Sequence, residues 1–275
     1  MNILIVGKNS YIAQEFVASV SKTTNWNFQY LSVRDNGWLS FDYRGFDAIV
    51  YFAAIVHHPE ITDETLYRKV NMDIPCQMAS LAREQGVRQF VYISTCAVWG
   101  LGPRYGQANV IDTQTPLKPV TLYGKSKQAA EQRLAEMNGG DLRIACVRLP
   151  NVYGKDCPGT FYHRIEALSK LPVLPIDRVR RPFSLISVEN VAKALIKIID
   201  NKMDGVLCPQ DPTVYSIVER VRLLAQQQGR RQYQTKVLWP VMWLIDKIVP
   251  NKYLNNLYGG YHISTSTYPT IIDEL

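Results

Sequence analysis

The sequence predicts a doubly wound parallel α/β sheet followed by a smaller C-terminal lobe. Three observations predict it. The chain opens on a short apolar run, Asn2–Val6, that turns through Gly7 into a helix beginning near Ser10, the strand-turn-helix entry of such a sheet. Later apolar runs, at 47–54, 89–94 and 141–148, are continuous rather than alternating, as expected of central strands covered on both faces. The 275 residues, 47% of them hydrophobic, suffice for one large core and a second lobe.

Composition narrows the function classes. The net charge is +7, but Lys and Arg are scattered, with no long basic run and no RNA-binding signature. Nucleic acid is therefore not the expected partner; a positive field equally attracts an anionic small molecule. The five cysteines, Cys76, Cys96, Cys146, Cys157 and Cys208, have neither CxxC nor Cys/His spacing, so reduced thiols and no metal are expected. No apolar run approaches the roughly 20 residues of a spanning helix, and the N-terminus reads straight into a strand rather than a leader. The expectation is a cytoplasmic protein without an integral membrane segment.

In the first turn, Gly7-Lys-Asn-Ser10-Tyr-Ile-Ala13, a dinucleotide fold would bring its backbone against a pyrophosphate at a helix N-terminus. Gly7, Ser10, Tyr11 and Ile12 are the candidate cofactor contacts. Ser10 and Ala13 are small enough for close approach, and Ser10 adds a hydroxyl. The second strand, 26–35, ends where an adenosine ribose would be read. An acid at Ser32 would suit the 2'-hydroxyl of NAD and a base the phosphate of NADP; Arg34 lies just beyond with Asp35 beside it, so both cofactors stay open. Asp47–Ala54 is the next central strand, and the small Ala53 and Ala54 let a flat ligand lie over its end. His57 and His58 follow as candidate substrate contacts. A helix spans Thr62 to Gln85, starting at Thr62-Asp-Glu-Thr65, with Pro75 expected to kink or divide it.

The chemistry concentrates in two stretches. Gln89–Ser94 is a β-branched and aromatic strand that ends on the pair Ser94 and Thr95. After Pro116 and Pro119, Thr121-Leu-Tyr-Gly-Lys-Ser-Lys127 opens a helix of good helix formers, Gln128 to Glu136. Tyr123 and Lys127 lie at i and i+4, on one face about one turn apart. A nearby ammonium favours phenolate, so Tyr123 is expected to exchange a proton closer to neutral pH than its ordinary value near 10 allows. The hydroxyl of Thr95, or that of Ser94, would bind the same substrate oxygen. Such a trio suits a proton taken from or given to a sugar hydroxyl while a hydride moves elsewhere.

With these motifs, the sequence resembles the extended short-chain dehydrogenase/reductase family, and within it the NAD-dependent nucleotide-sugar epimerases and dehydratases of UDP-glucose 4-epimerase type. The resemblance covers nearly everything up to about residue 200 and then thins. It implies a Rossmann-like sheet with a C-terminal substrate-binding lobe. Of the family's GxxGxxG turn only Gly7 is kept, with Ser10 and Ala13 in the other places. The family also implies that Ala53 and Ala54 lie along the cofactor, that Asn71 braces the active-site strand and the lysine, and that Thr95, Tyr123 and Lys127 are catalytic. Ser94, Tyr123 and Lys127 join the cofactor contacts, Lys127 holding the nicotinamide ribose. Thr95, Asn151 in Leu149-Pro-Asn-Val-Tyr-Gly154, and Arg181 would hold substrate, although the family's diphosphate arginine falls by strict spacing on Phe183.

Dehydratases of the family carry an acidic pair after the threonine. Here Cys96 and Ala97 stand there, so a dehydratase is not expected. The implied activity is a nucleotide-diphosphate-sugar 4-epimerase acting through a transient 4-keto sugar, for bacterial surface polysaccharide precursors, with NAD slightly preferred over NADP. Two alternatives stay open: an NADPH-dependent 4-keto nucleotide-sugar reductase, favoured by Arg34, and a non-catalytic NAD(P)-binding sensor, favoured by the depleted glycine turn. By analogy the protein is a homodimer.

The rest completes the layout. Residues 141–148 form a strand, and a helix near 160–171 begins the lobe. Ser187–Asp200 is a capped helix returning to the sheet, 216–228 is amphipathic, and 238–249 is apolar on most sides, as in a packed-lobe or dimer-contact helix. The dinucleotide-binding domain is thus 1–154 with 184–200, and the lobe is 155–183 with 201–275.

Overall fold

The computed structural model describes residues 1–56, 62–102, 107–175, 181–235, 244, 255, 259–268 and 271–272. In chain order the elements are β1 (Asn2–Val6), α1 (Tyr11–Thr23), β2 (Asn27–Leu31), β3 (Ala48–Tyr51), α2 (Glu64–Arg68), α3 (Ile74–Glu84), β4 (Gln89–Thr95), β5 (Ala108–Ile111), α4 (Leu122–Met137) and β6 (Arg143–Leu149). There follow β7 (Asn151–Tyr153), α5 (Thr160–Ser169), β8 (Val173–Pro175), β9 (Leu185–Ser187), α6 (Val188–Asp200), β10 (Gly205–Leu207), α7 (Ile217–Gln227), β11 (Tyr233–Thr235) and β12 (Gly260–Ile263).

Six strands form one parallel sheet in the order β10-β6-β4-β3-β1-β2. Successive side chains alternate across it. Ile3, Ile5, Val50, Val91, Ile93, Ala145 and Val147 face α1 and α6, while Leu4, Val6, Ile49, Phe90, Tyr92 and Ile144 face α3 and α4. The strand order reverses between β1 and β3, so the crevice of a doubly wound sheet lies outside the carboxyl ends of these two strands.

One expectation is changed and another met, each for a local reason. The second strand was expected over 26–35 but ends at Leu31, whose ladder partner is Val6; beyond it β1 turns away at Gly7 and offers no further partner. Residues 32–47 then pass directly to β3 through a 3-10 turn at Gly37–Leu39. Buried Trp38 and Tyr43 close this connection, the Tyr43 hydroxyl donating to the Trp38 carbonyl at 2.7 Å.

Pro75 divides the long helix through a π-helical turn at Lys69–Asp73. Proline lacks the N–H that would bond the carbonyl four residues back, at Asn71. The Tyr92 hydroxyl donates to that carbonyl at 2.5 Å, and Tyr51 donates to the neighbouring Val70 carbonyl at 3.0 Å. Strand tyrosines thus satisfy what the π turn leaves open, and Asn71 is fixed at 0% exposure in the process.

The second lobe packs α5 and α7 with short strand pairs, β8 with β11, β7 with β9, and β5 with β12. Its core joins Ile165, Phe183, Val221 and Tyr261 to Val98 and Trp99, which directly follow β4. Cys96, Val98, Trp99 and Ile111 therefore contribute to this core from the part of the chain before residue 154. His57, His58 and, apart from the exposed Leu244, the apolar 238–249 stretch lie outside the described residues. Among the described residues all five cysteines are free and buried, and no helix is long and apolar enough to cross a membrane.

Candidate active site

Gly7 adopts φ +95°, and a Cβ there would stand 2.7 Å from the Ala53 backbone nitrogen. Only glycine allows this approach, which sets the turn after β1 against the end of β3. Ser10 then precedes α1 in an extended conformation without capping it through its side chain, and the helix's first turn carries no acid. A glycine cradle facing an uncapped, acid-free helix start fits the pyrophosphate of a dinucleotide. Ala53 and Ala54 are only partly buried beside it, and Ile12 packs on the core beneath. The Tyr11 hydroxyl donates to the Lys155 carbonyl at 2.8 Å, so this side chain ties the cradle to the loop after β7. Arg34 is exposed at the end of β2, its backbone N–H held by Ser32 Oγ at 3.2 Å. Asp35, exposed beside it, accepts from the Gly37 N–H at 2.9 Å, so the turn presents both charges.

Thr95 ends β4, where its Oγ1 accepts from the Ala97 N–H at 3.2 Å. Thr121 starts α4 in the same way, accepting from the Gly124 N–H at 3.0 Å. The two starts abut: a Cβ on Gly124 would lie 2.8 Å from the Ala97 carbonyl oxygen. This close approach carries Tyr123 to Thr95. Burial pushes the Tyr123 phenol up to about 12, and the Thr95 side-chain hydrogen bond works against that rise.

Lys127 is 1% exposed. Its Nζ donates to the Ile93 carbonyl at 2.7 Å and lies 4.3 Å from the Tyr92 ring centroid and 6.0 Å from that of Tyr123. Desolvation pulls its ammonium down to about 7, with Glu131 the leading opposing influence. The expected drop of the Tyr123 phenol towards neutral pH is thus not present: the desolvation of both groups outweighs what the lysine offers across this gap.

The lysine shift has a consequence for stability. The unfolded lysine binds its proton up to about pH 10.4, the folded one only to about 7. Between those values the unfolded state holds more protons, so Lys127 costs stability increasingly as pH falls through this window. Lys127→Met is expected to raise the melting temperature of the cofactor-free protein at pH 7 by about 2–4 °C or more, the shift about 1 kcal/mol produces at this size. The gain should shrink at pH 10. Calorimetry at both pH values checks this; an equal gain at both would contradict the charge argument.

Asn71 braces the site less directly than expected. Its Oδ1 accepts from the Ile55 N–H at 2.9 Å, and its Nδ2 donates to the Ile55 carbonyl and to Ser126 Oγ, each at 3.0 Å. It fixes the segment after β3 and the residue beside Lys127, while contact with β4 comes through Tyr92. Ser94 does not face the cleft. It is 2% exposed and gives its hydroxyl to Glu131, so of the two hydroxyls only that of Thr95 is available to a ligand.

A cleft of about 310 Å³ opens from Thr95 and is lined by Asn151, Phe161, Arg164, Phe183 and Tyr261 among others. Phe183 stacks on Phe161 at 5.5 Å and meets Tyr261 edge-on at 4.5 Å. The structure brings Thr95, Tyr123, Lys127 and Asn151 to one place. Arg181 is partly buried beside Gly260 and does not line this cleft; the exposed Arg164 of α5 does. Sequence reasoning missed Arg164, Glu131 and Arg148. A signal existed for the last two: an arginine inside an otherwise apolar strand needs a carboxylate, and Glu131 is one turn past Lys127.

A family model described as the NAD dependent epimerase/dehydratase family matches residues 5–215. A UDP-glucose 4-epimerase from Vibrio cholerae is 27% identical over 241 residues, 84% of this chain and 73% of that protein. An N-acetyl-alpha-D-glucosaminyl-diphospho-ditrans,octacis-undecaprenol 4-epimerase from Escherichia coli O157:H7 is 22% identical over 94% of this chain and 78% of its own length. Among solved structures, a short-chain dehydrogenase/reductase superfamily protein from Agrobacterium tumefaciens with bound NAD superposes with TM-score 0.70 at 15% identity, over 100% of this chain and 93% of that one.

Proposed function

Since the chain belongs to the NAD dependent epimerase/dehydratase family and is an enzyme that uses a nicotinamide dinucleotide, we propose that it is a 4-epimerase of nucleotide-diphosphate sugars acting through a transient 4-keto sugar. The observation that carries this reading is Thr95 at the mouth of the cleft with the Tyr123 phenol within reach of it. A nicotinamide dinucleotide held at the Gly7 turn would supply a reversible hydride acceptor. The protein's own residues do the rest. Thr95 holds O4 of the sugar, and Tyr123 takes the proton from that oxygen and returns it after the keto sugar has turned over. Lys127, with its ammonium against the Ile93 carbonyl, holds the dinucleotide's ribose and lends positive charge to the phenolate. Asn151 and Arg164 line the cleft where the substrate's diphosphate would extend, an arginine fork being suited to that anion. Arg181 is retained as a second candidate for this contact. Cys96 and Ala97, which follow Thr95, supply no acid-base pair for dehydration.

The test is conversion without added reductant. The protein is incubated with UDP-glucose, UDP-N-acetylglucosamine and a polyprenyl-diphosphate-linked N-acetylglucosamine, and the C4 epimer is read by proton NMR. Formation of a 4-epimer with catalytic cofactor supports the proposal. Arg34, exposed where an adenosine 2'-phosphate would lie, favours a second reading, an NADPH-dependent reductase of 4-keto nucleotide sugars. Arg34→Ala would then weaken NADPH binding about tenfold, the worth of about 1.4 kcal/mol, and leave NADH binding within about twofold; equal loss of both would remove the basis of that reading. Bound nucleotide with no turnover on any substrate would point to a sensor. Function in a homodimer and in the cytoplasm, on precursors of bacterial surface polysaccharide, belongs to the same proposal.

A further inference from the structure

We propose that Glu131 is a positioning residue of this site: buried on α4 one turn beyond Lys127, it locks the end of β4 through Ser94 and Arg148, holding Thr95 at the cleft and a carboxylate one helical turn from the lysine. Ser94 and Arg148 are direct partners in the β4–β6 ladder. The Glu131 carboxylate reaches both. It accepts from Arg148 Nε at 3.1 Å to each oxygen and from Nη2 at 2.7 Å, and the Ser94 hydroxyl donates to Oε1. The side chains of Arg148 and Glu131 are only 7% and 4% exposed. Arg148 continues the chain of contacts past Thr95, its guanidinium lying 4.8 Å from the Trp99 ring centroid. One carboxylate therefore holds the residue before Thr95 directly and the turn after it through the arginine.

The same carboxylate acts on the lysine. The titratable and charged groups around Lys127 are Tyr92 on β4, Tyr123 and Glu131 on α4, Cys146 and Arg148 on β6, with Tyr67 of α2 behind Tyr123. Burial pushes Tyr92 and Cys146 up, so both stay neutral. Glu131 is thus the anion opposing the desolvation that strips the ammonium of its proton. Loss of a merely structural ion pair would lower stability and activity alike at every pH. A positioning carboxylate also moves the pH at which the lysine loses its charge.

Glu131→Gln separates the two. Because it leaves Arg148 buried and unpaired, the double variant Glu131→Gln, Arg148→Met is made alongside it, and Glu131→Asp serves as the charge-conserving rescue. Two readouts are taken: the Nζ titration of Lys127 by nitrogen-15 NMR in the cofactor-free protein, and the pH profile of kcat and KM in the loaded enzyme. The expected result is a Lys127 midpoint lower by about one pH unit or more in whichever Gln variant folds, the size of effect a neighbouring opposite charge has. The pH at which kcat stops rising should move down with it, kcat above neutral pH should fall about tenfold, and KM should stay within about threefold; Asp should restore most of the midpoint. An unchanged midpoint in a folded variant overturns the proposal. The activity readout rests on the epimerase reading, but the NMR midpoint does not, so a protein that turns over no sugar yet shows the shift would sink that reading and leave this inference standing.

Discussion

Tyr123→Phe is expected to lower turnover by about 10²–10⁴-fold, the usual worth of a positioned acid-base group. The ring stays, so its packing at the start of α4 is kept, and the hydroxyl's polar contact with Thr95 is removed. Stability should change by no more than about 1 kcal/mol, the net value of such a bond. Substrate KM and dinucleotide affinity should stay within a few-fold, because the phenol acts on a proton rather than on either ligand's charge. Single-turnover rates with a C4-labelled sugar, beside a binding titration, check both halves. Retention of full turnover would transfer the proton to another group and remove Tyr123 from the mechanism. A phenol at about 12 and a lysine at about 7 without ligands also imply that kcat rises with pH up to about 7 and levels off above it, where loss of the ammonium offsets the gain in phenolate.

Gly7→Ala is the second change with a large expected effect. The residue sits at φ +95°, and the new methyl would meet Ala53 N at 2.7 Å and its Cα at 2.9 Å. Strain of this kind costs of order 1–3 kcal/mol, and relief can come only by moving backbone. The moved atoms are the turn after β1 and the end of β3, the two sides of the dinucleotide cradle. Dinucleotide affinity is therefore expected to fall by at least about 10²-fold, near 3 kcal/mol, with a loss in melting temperature of several degrees. Isothermal titration with NAD and NADP, together with thermal denaturation, reads both. A variant that melts lower yet binds the dinucleotide as tightly would place the cofactor elsewhere. Ala13→Gly, which restores the family's glycine at a buried position that already tolerates a methyl, carries no such penalty to be relieved.

Much of this protein was legible one segment at a time. Continuous apolar runs marked the central strands because a strand covered on both faces has no polar side to show. The i, i+4 spacing of Tyr123 and Lys127 placed them on one helix face, since helical geometry is local. Ser187 marked a helix start that the structure bears out, the serine accepting from the backbone N–H three residues on. What was missed is non-local. That β2 stops at Leu31 depends on where its ladder partner β1 turns away, and that Arg148 stands beside Ser94 depends on the register between β4 and β6. Ser94 and Thr95 are equivalent hydroxyls in sequence; the pleat of β4 sends one to Glu131 and leaves the other at the cleft. The Tyr123–Lys127 spacing told which groups meet, but burial decided their proton affinities, raising one and lowering the other. The sequence by itself determined the parallel sheet, the glycine turn and the tyrosine-lysine face, because each rests on short-range periodicity or steric demand. Only the tertiary structure decided the carboxylate that steadies them, the aromatic walls of the cleft and the charge state of the lysine, because register, packing and desolvation are properties of the folded whole.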